Sequence, residues 1–370
     1  MSGPCTARRA FEDGLRRDRG AAERAFARVL GRAQLVLGPE VEAFEAELAA
    51  ELGLDHVVTC ANGTDALALA LQAVDVGPGD EVIVPVNTCV PTAMAVLAVG
   101  ATPVPVDVGP DDLLMDPRAA EAAVTGRTRA LLPVHLYGGV CEMAALAALA
   151  ERHGLALVED CAQAHGARLA GRGAGSFGAA AAFSFYPTKN LGALGDGGAV
   201  AVREEKRAER VRILRSYGCG PDGRAVESGR NSRLDELQAA ILREKLPSLE
   251  TDNASRRAVA SAYDHAFAGT PVRALRYAED VEPCRHLYPI RVEDRDRVLA
   301  RLVRRGLDPA IHYPIPLHRH PVLAERMPAR GAFPVAEAAA ARLVSLPIGP
   351  CMAETDAQTI AEIVLAAVQP

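Results

Sequence analysis

Short apolar runs alternate with segments of helical periodicity through the first half of the chain. A segment with apolar positions at helical spacing comes first, at residues 40–51, and predicts an amphipathic helix. Apolar runs that predict strands follow at residues 56–60, 82–86, 102–106, 130–134 and 155–158. Helical segments separate them at residues 64–74, 92–99, 119–124 and 143–153. This alternation predicts an α/β fold, with a parallel sheet covered by helices on both faces.

The pattern changes after Gly178. Two apolar runs, at residues 180–186 and 198–203, are joined by a glycine-rich turn, and charged helical segments follow at residues 204–216 and 234–246. Beyond about residue 251 the chain becomes rich in arginine, with a predicted strand at 287–292 and a predicted helix at 296–305. We therefore expect a large domain with N-terminal helices over residues 1–250 and a smaller α+β domain over residues 251–370.

Composition and charge exclude several classes of protein. Of the 370 residues 49% are hydrophobic and 24% are charged, which is typical of a globular protein with a sizeable core. The net charge of −6 and the pI near 5.9 give no basic surface for a nucleic acid. Aromatic residues make up only 4% and tryptophan is absent, so a platform for stacking bases is not expected either.

Neither a membrane span nor a disulfide framework is expected. The longest uncharged stretch, residues 82–106, contains Pro85, Pro91, Pro103 and Pro105, which favour strands and turns inside a core over a span. The charged N-terminus has no apolar signal region, which predicts a cytoplasmic protein. The eight cysteines form no C-x-x-C pair, so we expect free thiols and no zinc site.

The first candidate site follows the strand at residues 56–60, at a predicted strand-to-helix turn. Gly63 permits a tight turn, and Thr64 with the amide of Asp65 presents N–H groups at the positive end of the next helix. Such an end can bind a phosphate, and ligands of α/β sheets bind at the carboxyl ends of strands. The alternative is that Thr64 is an ordinary N-cap residue.

The second candidate site follows the strand at residues 155–158, in the sequence E-D-C-A-Q-A-H-G. Asp160 could pair with a cationic ring nitrogen, and Gln163 could hydrogen-bond a ring hydroxyl. The alternative is an acid at a strand end that is solvated by water.

The third candidate site surrounds Lys189. Only three of the 41 basic residues are lysines, and Lys206 and Lys245 lie in charged helical segments, whereas Lys189 lies among apolar residues and glycines. A desolvated lysine can lose its proton and form a Schiff base, which arginine cannot do. The alternative is a surface lysine. A phosphate cradle, an acid and an amine together are the parts that pyridoxal phosphate requires.

Two further motifs could indicate a dinucleotide or a metal ion, but the sequence around each of them argues against that ligand. Gly173, Gly175 and Gly178 spell G-x-G-x-x-G, but this motif does not directly follow a predicted strand, and the next segment is predicted to be a strand and not a helix. Dinucleotide binding is therefore not expected. The three histidines of H-Y-P-I-P-L-H-R-H have no acid or cysteine beside them, so a substrate contact or plain surface is favoured over a metal site.

The chain resembles the DegT/StrS-type nucleotide-sugar aminotransferases, a branch of the fold-type I pyridoxal-phosphate enzymes. The resemblance covers nearly the whole length and includes G-P-E-V-E-A-F-E, G-D-E-V-I-V-P-V-N-T, R-N-S-R-L-D-E-L-Q-A-A-I-L and I-H-Y-P-I-P-L-H. One difference is Cys89, because family members usually have an aromatic residue there that can lie against the cofactor ring.

The resemblance implies roles for individual residues. Lys189 is expected to form the Schiff base with pyridoxal phosphate, and Asp160 to pair with the pyridine nitrogen. The other residues expected to contact the cofactor are Gly63, Thr64, Asp65, Gln163 and Ser184. Asn231 is expected to reach the phosphate from a neighbouring subunit, which implies a homodimer with sites at the interface. His312 and Tyr313 are expected to lie near the sugar nucleotide.

The resemblance also implies a reaction, the transfer of an amino group from L-glutamate to a keto-sugar nucleotide. The segment N-L-G-A-L-G-D-G-G at residues 190–198 is similar to that of enzymes acting at C3, which predicts a dTDP-linked 3-keto-6-deoxyhexose as substrate. A 4-keto or UDP-linked substrate is the alternative. A sugar dehydratase of the family is a further alternative, but those enzymes have histidine in place of the lysine. A non-catalytic relative is expected to lack Lys189 or Asp160, and both are present.

Overall fold

The helices and strands follow the alternation that the sequence predicts. This computed structural model describes residues 5–328 and 331–369. The helices are α1 (Ala7–Arg32), α2 (Pro39–Leu52), α3 (Gly63–Ala73), α4 (Val90–Ala98), α5 (Pro117–Ala122), α6 (Met143–His153), α7 (Glu205–Leu214), α8 (Glu236–Lys245), α9 (Leu249–Phe267), α10 (Arg295–Arg304), α11 (Pro321–Ala324), α12 (Pro334–Ala340) and α13 (Glu354–Val368). The strands are β1 (His56–Cys60), β2 (Glu81–Pro85), β3 (Thr102–Val106), β4 (Thr128–Leu131), β5 (Ala156–Asp160), β6 (Arg168–Leu169), β7 (Arg172–Gly173), β8 (Ala180–Ser184), β9 (Gly198–Val202), β10 (Arg273–Ala274), β11 (Val281–Glu282), β12 (Tyr288–Arg291) and β13 (Leu343–Leu346).

A seven-stranded sheet in the order β1-β9-β8-β5-β4-β2-β3 forms the centre of the fold. Its strands are almost entirely buried, because helices cover both faces as predicted. All pairings between β3 and β8 are parallel, whereas β9 is antiparallel to both β8 and β1. The segment between β8 and β9 contains no helix that could carry the chain back for a parallel crossover, so β9 returns directly beside β8.

The described residues form two large hydrophobic cores and a small third one between α1 and α8. The larger core surrounds the seven-stranded sheet, and the second one joins α9, α10 and α13 to β12 and β13. The division is not strictly sequential, because Cys5 and Ala10 belong to the second core, while Leu317 and Phe333 pack on the larger one. The proposed domain boundary near residue 250 remains a prediction.

Helix α1 precedes the first segment for which the sequence predicts bounds. It is 26 residues long and mostly polar, so no apolar run marks it. Ion pairs one turn apart, such as Arg8–Glu12 at 2.9 Å and Arg19–Glu23 at 2.8 Å, are compatible with its helical geometry. Its few buried residues are small, so packing against the rest of the fold holds the helix in place. No helix in the described part of the chain is long and apolar enough to cross a membrane.

The G-x-G-x-x-G motif encloses a buried carboxylate of the protein itself. The N–H groups of Gly175, Phe177 and Gly178 donate to the two carboxylate oxygens of Glu159 over 2.6–2.8 Å. Gly175 has a φ of +92°, and a Cβ there would lie 2.7 Å from the ring of Phe183, so the turn requires glycine. These glycines shape a turn around Glu159, next to Asp160.

His135 connects this carboxylate to the loop that follows β4. Its Nε2 lies 2.9 Å from Glu159, and the N–H of Cys141 donates to its Nδ1 over 3.1 Å. Because Nδ1 accepts a hydrogen bond, the proton of the ring is on Nε2, and the imidazole donates to Glu159. His135, Glu159 and Cys161 are close enough together to suggest a metal site, but hydrogen bonds already use the imidazole and carboxylate atoms.

We expect Glu159→Gln to lower the free energy of unfolding by about 2 kcal/mol, because an amide cannot accept from three N–H groups and the imidazole at once. Urea denaturation at neutral pH measures this change. Glu205→Gln, at an exposed position on α7, is the matched control and should change stability by less than about 0.5 kcal/mol. Equal stability of the Glu159→Gln variant and the wild type would contradict the role given to this carboxylate.

Candidate active site

A cavity of about 980 Å³ lies at the carboxyl ends of β1, β5 and β8. The three segments that the sequence analysis selected all reach it, because these strands are near neighbours in the sheet. The predicted residues that line the cavity are Gly63, Thr64, Asp65, Asp160, Gln163, Ser184, Lys189, His312 and Tyr313. Asn231 does not line it.

The start of α3 forms one wall of the cavity. The N-cap residue is Asn62, whose side chain accepts from the N–H of Asp65 over 2.8 Å, so the alternative of an N-cap at Thr64 is wrong. The N–H groups of Gly63 and Thr64 have no acceptor within the described part of the chain. A Cβ at Gly63 would lie 2.6 Å from the Cβ of Ser184, so glycine permits the close approach of α3 to the end of β8.

Asp65 supports this wall from behind. Its carboxylate accepts from the hydroxyl of Ser232 over 2.7 Å and from Arg230 over 3.2 Å. Because Asn62 already takes the N–H of Asp65, the open donors for an anion are the N–H groups of Gly63 and Thr64.

Asp160 ends β5 and is buried. One carboxylate oxygen accepts from the hydroxyl of Thr92 over 2.9 Å, and the other accepts from the N–H of Ala162 over 3.1 Å. Burial raises the pKa of Asp160, while these two hydrogen bonds and the charge of Lys189 act in the opposite direction. A cation in the cavity would stabilise the ionised carboxylate further.

Gln163 is held between two tyrosines. Its Oε1 accepts from the N–H of Tyr137 over 2.7 Å, and its Nε2 donates to the hydroxyl of Tyr313 over 3.0 Å. The hydroxyl of Tyr137 donates to the carbonyl of His312 over 2.5 Å, which ties this loop to the segment that contains His312 and Tyr313. Residues 312 and 313, predicted near a substrate, therefore lie next to the end of β5.

Lys189 is half-buried in the loop between β8 and β9. Burial lowers the pKa of its amine, and Asp160, Cys89 and Cys284 act in the opposite direction. No residue in the described ranges forms an ion pair or hydrogen bond with the amine. A lowered pKa and a free Nζ are what a nucleophilic lysine requires.

Cys89 lies at the start of α4, at the edge of the same cavity. Burial raises the pKa of its thiol, so it is present as a small neutral side chain. Cys89 lines the cavity, and Tyr313 is its neighbour there.

The three histidines at residues 312, 318 and 320 do not converge. His312 Nδ1 lies 2.9 Å from Ser345 Oγ, His318 Nε2 lies 2.9 Å from Glu337, and His320 Nε2 lies 3.2 Å from the carbonyl of Ile315. Of these histidines only His312 lines the cavity. They therefore have separate partners.

The sequence reading missed several residues of this site. Thr92 and Tyr137 hold Asp160 and Gln163, and Arg256 on α9 and part of α1 line the cavity. Thr92 and Tyr137 follow strand ends, which is a signal that could have been used. No local pattern indicates Arg256 or α1, because they reach the cavity only through the packing of distant elements.

The chemistry of these residues fits pyridoxal phosphate. The glycine at position 63 leaves room beside two open N–H groups for a phosphate, and the buried Asp160 can pair with a protonated ring nitrogen. Lys189 offers the amine and Gln163 an amide near the ring.

Comparisons with known proteins agree with this assignment. The family model of the DegT/DnrJ/EryC1/StrS aminotransferases matches residues 17–365. The dTDP-3-amino-3,4,6-trideoxy-alpha-D-glucose transaminase of Streptomyces venezuelae is 49% identical over 347 residues, which cover 94% of this chain and 92% of the relative. The UDP-N-acetyl-3-dehydro-alpha-D-glucosamine 3-aminotransferase of Acidithiobacillus ferrooxidans is 44% identical over 337 residues, 91% of each chain.

A solved structure is similar throughout. The crystal structure of S. venezuelae DesV in complex with a ketimine intermediate has a TM-score of 0.94 and 46% sequence identity, and the match covers 97% of each chain. Together with the cavity, these matches identify the chain as a member of the DegT/DnrJ/EryC1/StrS aminotransferase family, whose enzymes depend on pyridoxal phosphate.

Proposed function

We propose that the protein transfers an amino group from L-glutamate to C3 of a dTDP-linked 3-keto-6-deoxyhexose, in the biosynthesis of a natural-product sugar. The observation that carries the proposal is the free amine of Lys189, which shares one cavity with the buried Asp160 and the open N–H groups of α3. The transaminase of S. venezuelae, whose name describes a dTDP-3-amino sugar, supports the choice of substrate class.

Each residue then has a definite task. Pyridoxal phosphate supplies an aldehyde that accepts the amino group and a protonated ring that withdraws electrons. The N–H groups of Gly63 and Thr64 would hold its phosphate, and Asp160 would keep the ring nitrogen protonated. Lys189 would hold the cofactor through its amine and, once free, would move a proton to or from the substrate carbon.

The segment between Lys189 and β9 supports the choice of C3. Its backbone is fixed by hydrogen bonds, from the N–H of Ala193 to the carbonyl of Phe185 over 2.8 Å and from the N–H of Leu194 to Gln238 over 2.9 Å. A Cβ at Gly192 would contact the carbonyl of Pro187, so the turn requires glycine. A turn of fixed shape beside the reactive amine limits how a sugar ring can present its carbonyl.

We expect Lys189→Ala and Lys189→Arg each to lower turnover by about a thousandfold or more, because neither side chain provides a proton-transferring amine. In the wild type, borohydride should attach the cofactor to the peptide that contains Lys189, and mass spectrometry detects this. Lys206→Arg, at an exposed position on α7, is the control and should retain full activity. Normal turnover in either Lys189 variant would exclude this residue as the catalytic amine.

Direct competition between 3-keto and 4-keto dTDP-sugars tests the position of amination, with L-glutamate as donor and product analysis by mass spectrometry. We expect a preference of about a hundredfold for the 3-keto compound, because moving the carbonyl by one ring position displaces it by more than about an ångström. A UDP-linked 3-keto sugar in the same assay tests the nucleotide. Faster amination of the 4-keto compound would show that the interpretation of residues 190–198 is wrong.

A homodimer that completes its sites across the interface is part of the proposal. Asn231 is exposed and lies outside the cavity of its own chain, as expected for a residue that acts on a neighbouring subunit. Several large side chains, among them Tyr186, Leu194 and Tyr217, are also exposed, and Tyr186 lines the cavity. These exposed groups are suited to contact with a second copy.

Mixing Asn231→Ala protein with Lys189→Ala protein tests this arrangement. If Asn231 acts across the interface, one site of each mixed dimer has both lesions and the other has neither, so part of the activity should return. Mixing Lys189→Ala with Asp160→Asn is the control and should restore nothing, because both residues line the same cavity of one chain. Proven subunit exchange without recovery in the first mixture would place Asn231 in the site of its own chain.

A further inference from the structure

Four basic side chains line the cavity, and three of them have an assigned task or a partner. Lys189 is the proposed amine. Arg17 forms two hydrogen bonds of 2.7 and 2.8 Å with the carboxylate of Asp252. Lys245 lies 3.4 Å from Asp18 and donates to the carbonyl of Gly192. The fourth, Arg256, has no carboxylate within ion-pair distance among residues 5–328 and 331–369.

The guanidinium of Arg256 is buried and incompletely satisfied. The residue is 8% exposed, and its Nη1 makes long hydrogen bonds of 3.3–3.5 Å to the carbonyls of Arg285, His286 and Ile348. Its Nε is enclosed without a partner, and no described residue accepts from Nη2. Nη2 is not among the fully enclosed atoms, and Arg256 is one of the residues that line the cavity. A buried guanidinium without a counter-ion is costly, and burial lowers the pKa of Arg256.

Arg256 is close to the reactive lysine. Asn190 is the residue after Lys189, and its Oδ1 lies 2.9 Å from Nδ1 of His286. The carbonyl of His286 in turn accepts from Arg256. Burial lowers the pKa of His286, and the charges of Lys189 and Arg256 lower it further, so both cations lie near one neutral imidazole. The cavity thus contains an amine for chemistry and, a short distance away, an uncompensated positive charge.

We infer that Arg256 is the anchor for a carboxylate of the amino-acid donor. Nη2 of a guanidinium can donate a charge-assisted hydrogen bond to a carboxylate, and the low dielectric of a buried site strengthens this contact. A bound carboxylate would supply the counter-ion that Arg256 lacks and would hold the donor beside Lys189. The inference rests on the proposed aminotransferase function and deepens it, because it assigns the donor subsite. The diphosphate of the sugar nucleotide is the other source of anionic oxygens.

Arg256→Gln tests the assignment with Arg291→Gln as a matched control. Arg291 on β12 also has an enclosed Nε without a partner, no carboxylate within ion-pair distance in the described chain, and a lowered pKa from burial, but it does not line the cavity. The first readout is calorimetric binding of glutarate, a dicarboxylate without an amine. We expect Arg256→Gln to weaken it by roughly thirtyfold or more, and Arg291→Gln to leave it unchanged.

The second readout separates the two half-reactions in single-turnover absorbance measurements. Conversion of the cofactor to its amine form is followed with L-glutamate, L-glutamine and L-alanine, and its reversal is followed with the keto-sugar nucleotide. A weaker apparent affinity for all three amino acids supports an anchor for the α-carboxylate, and a loss for glutamate alone supports the side-chain carboxylate. A loss confined to the sugar half-reaction would assign Arg256 to the diphosphate and overturn the inference.

A measurement on the wild type covers the case in which Arg256→Gln does not fold. Phenylglyoxal modifies accessible arginines, and peptide mass spectrometry reports the modification of Arg256 with and without glutarate. We expect glutarate to protect Arg256 and not Arg291. Equal modification of Arg256 in both samples would overturn the inference. Failure of the proposed function would give a different result. The wild type would then bind glutarate through Arg256 but aminate no keto sugar, so the carboxylate anchor would stand and only the sugar substrate would be wrong.

Discussion

The adjacency of β1, β9, β8 and β5 is the constraint on which the rest of the site depends. It brings three segments, which together span more than a hundred residues of the chain, to one edge of the sheet, where α3, Asp160 and Lys189 meet. The approach is so close that glycine is required at Gly63, where a Cβ would lie 2.6 Å from Ser184, and at Gly198, where it would contact the carbonyl of Asn62. A parallel sheet gains such contacts because its strands end together on one side.

Hydrogen bonds behind the cavity hold this edge in shape. Glu159, one residue before Asp160, is surrounded by N–H groups of the glycine-rich turn and by His135, which in turn accepts from Cys141. The loop after β4, which contains His135, also places the N–H of Tyr137 against the side chain of Gln163. Asp160, which is predicted to face the cofactor, therefore follows directly on Glu159, which anchors the strand, and successive side chains of a strand point to opposite faces.

Electrostatics divide the cavity into regions with different tasks. Burial raises the pKa of Asp160 and lowers that of Lys189, so the acid and the amine are both sensitive to the charge of what binds between them. Open N–H groups at α3 are suited to a phosphate, whereas Arg256, which donates to the carbonyl of His286, has no carboxylate within ion-pair distance in the described part of the chain. An anion bound at each of these two places would balance the positive charge of the N–H groups and of the guanidinium.

The sequence by itself determined the alternation of elements, the three strand-end motifs and the resemblance to the family. Apolar periodicity, the placement of glycines and the single lysine in an uncharged segment are local features of the sequence. They can be recognised in the sequence because the segments that carry them are buried in or beside the sheet. The tertiary structure decided the antiparallel β9, the long polar helix α1, the N-cap at Asn62 and the real use of the G-x-G-x-x-G turn. It also decided that Arg256 lines the cavity, since contacts between distant elements have no period along the chain and become visible only when the chain is folded.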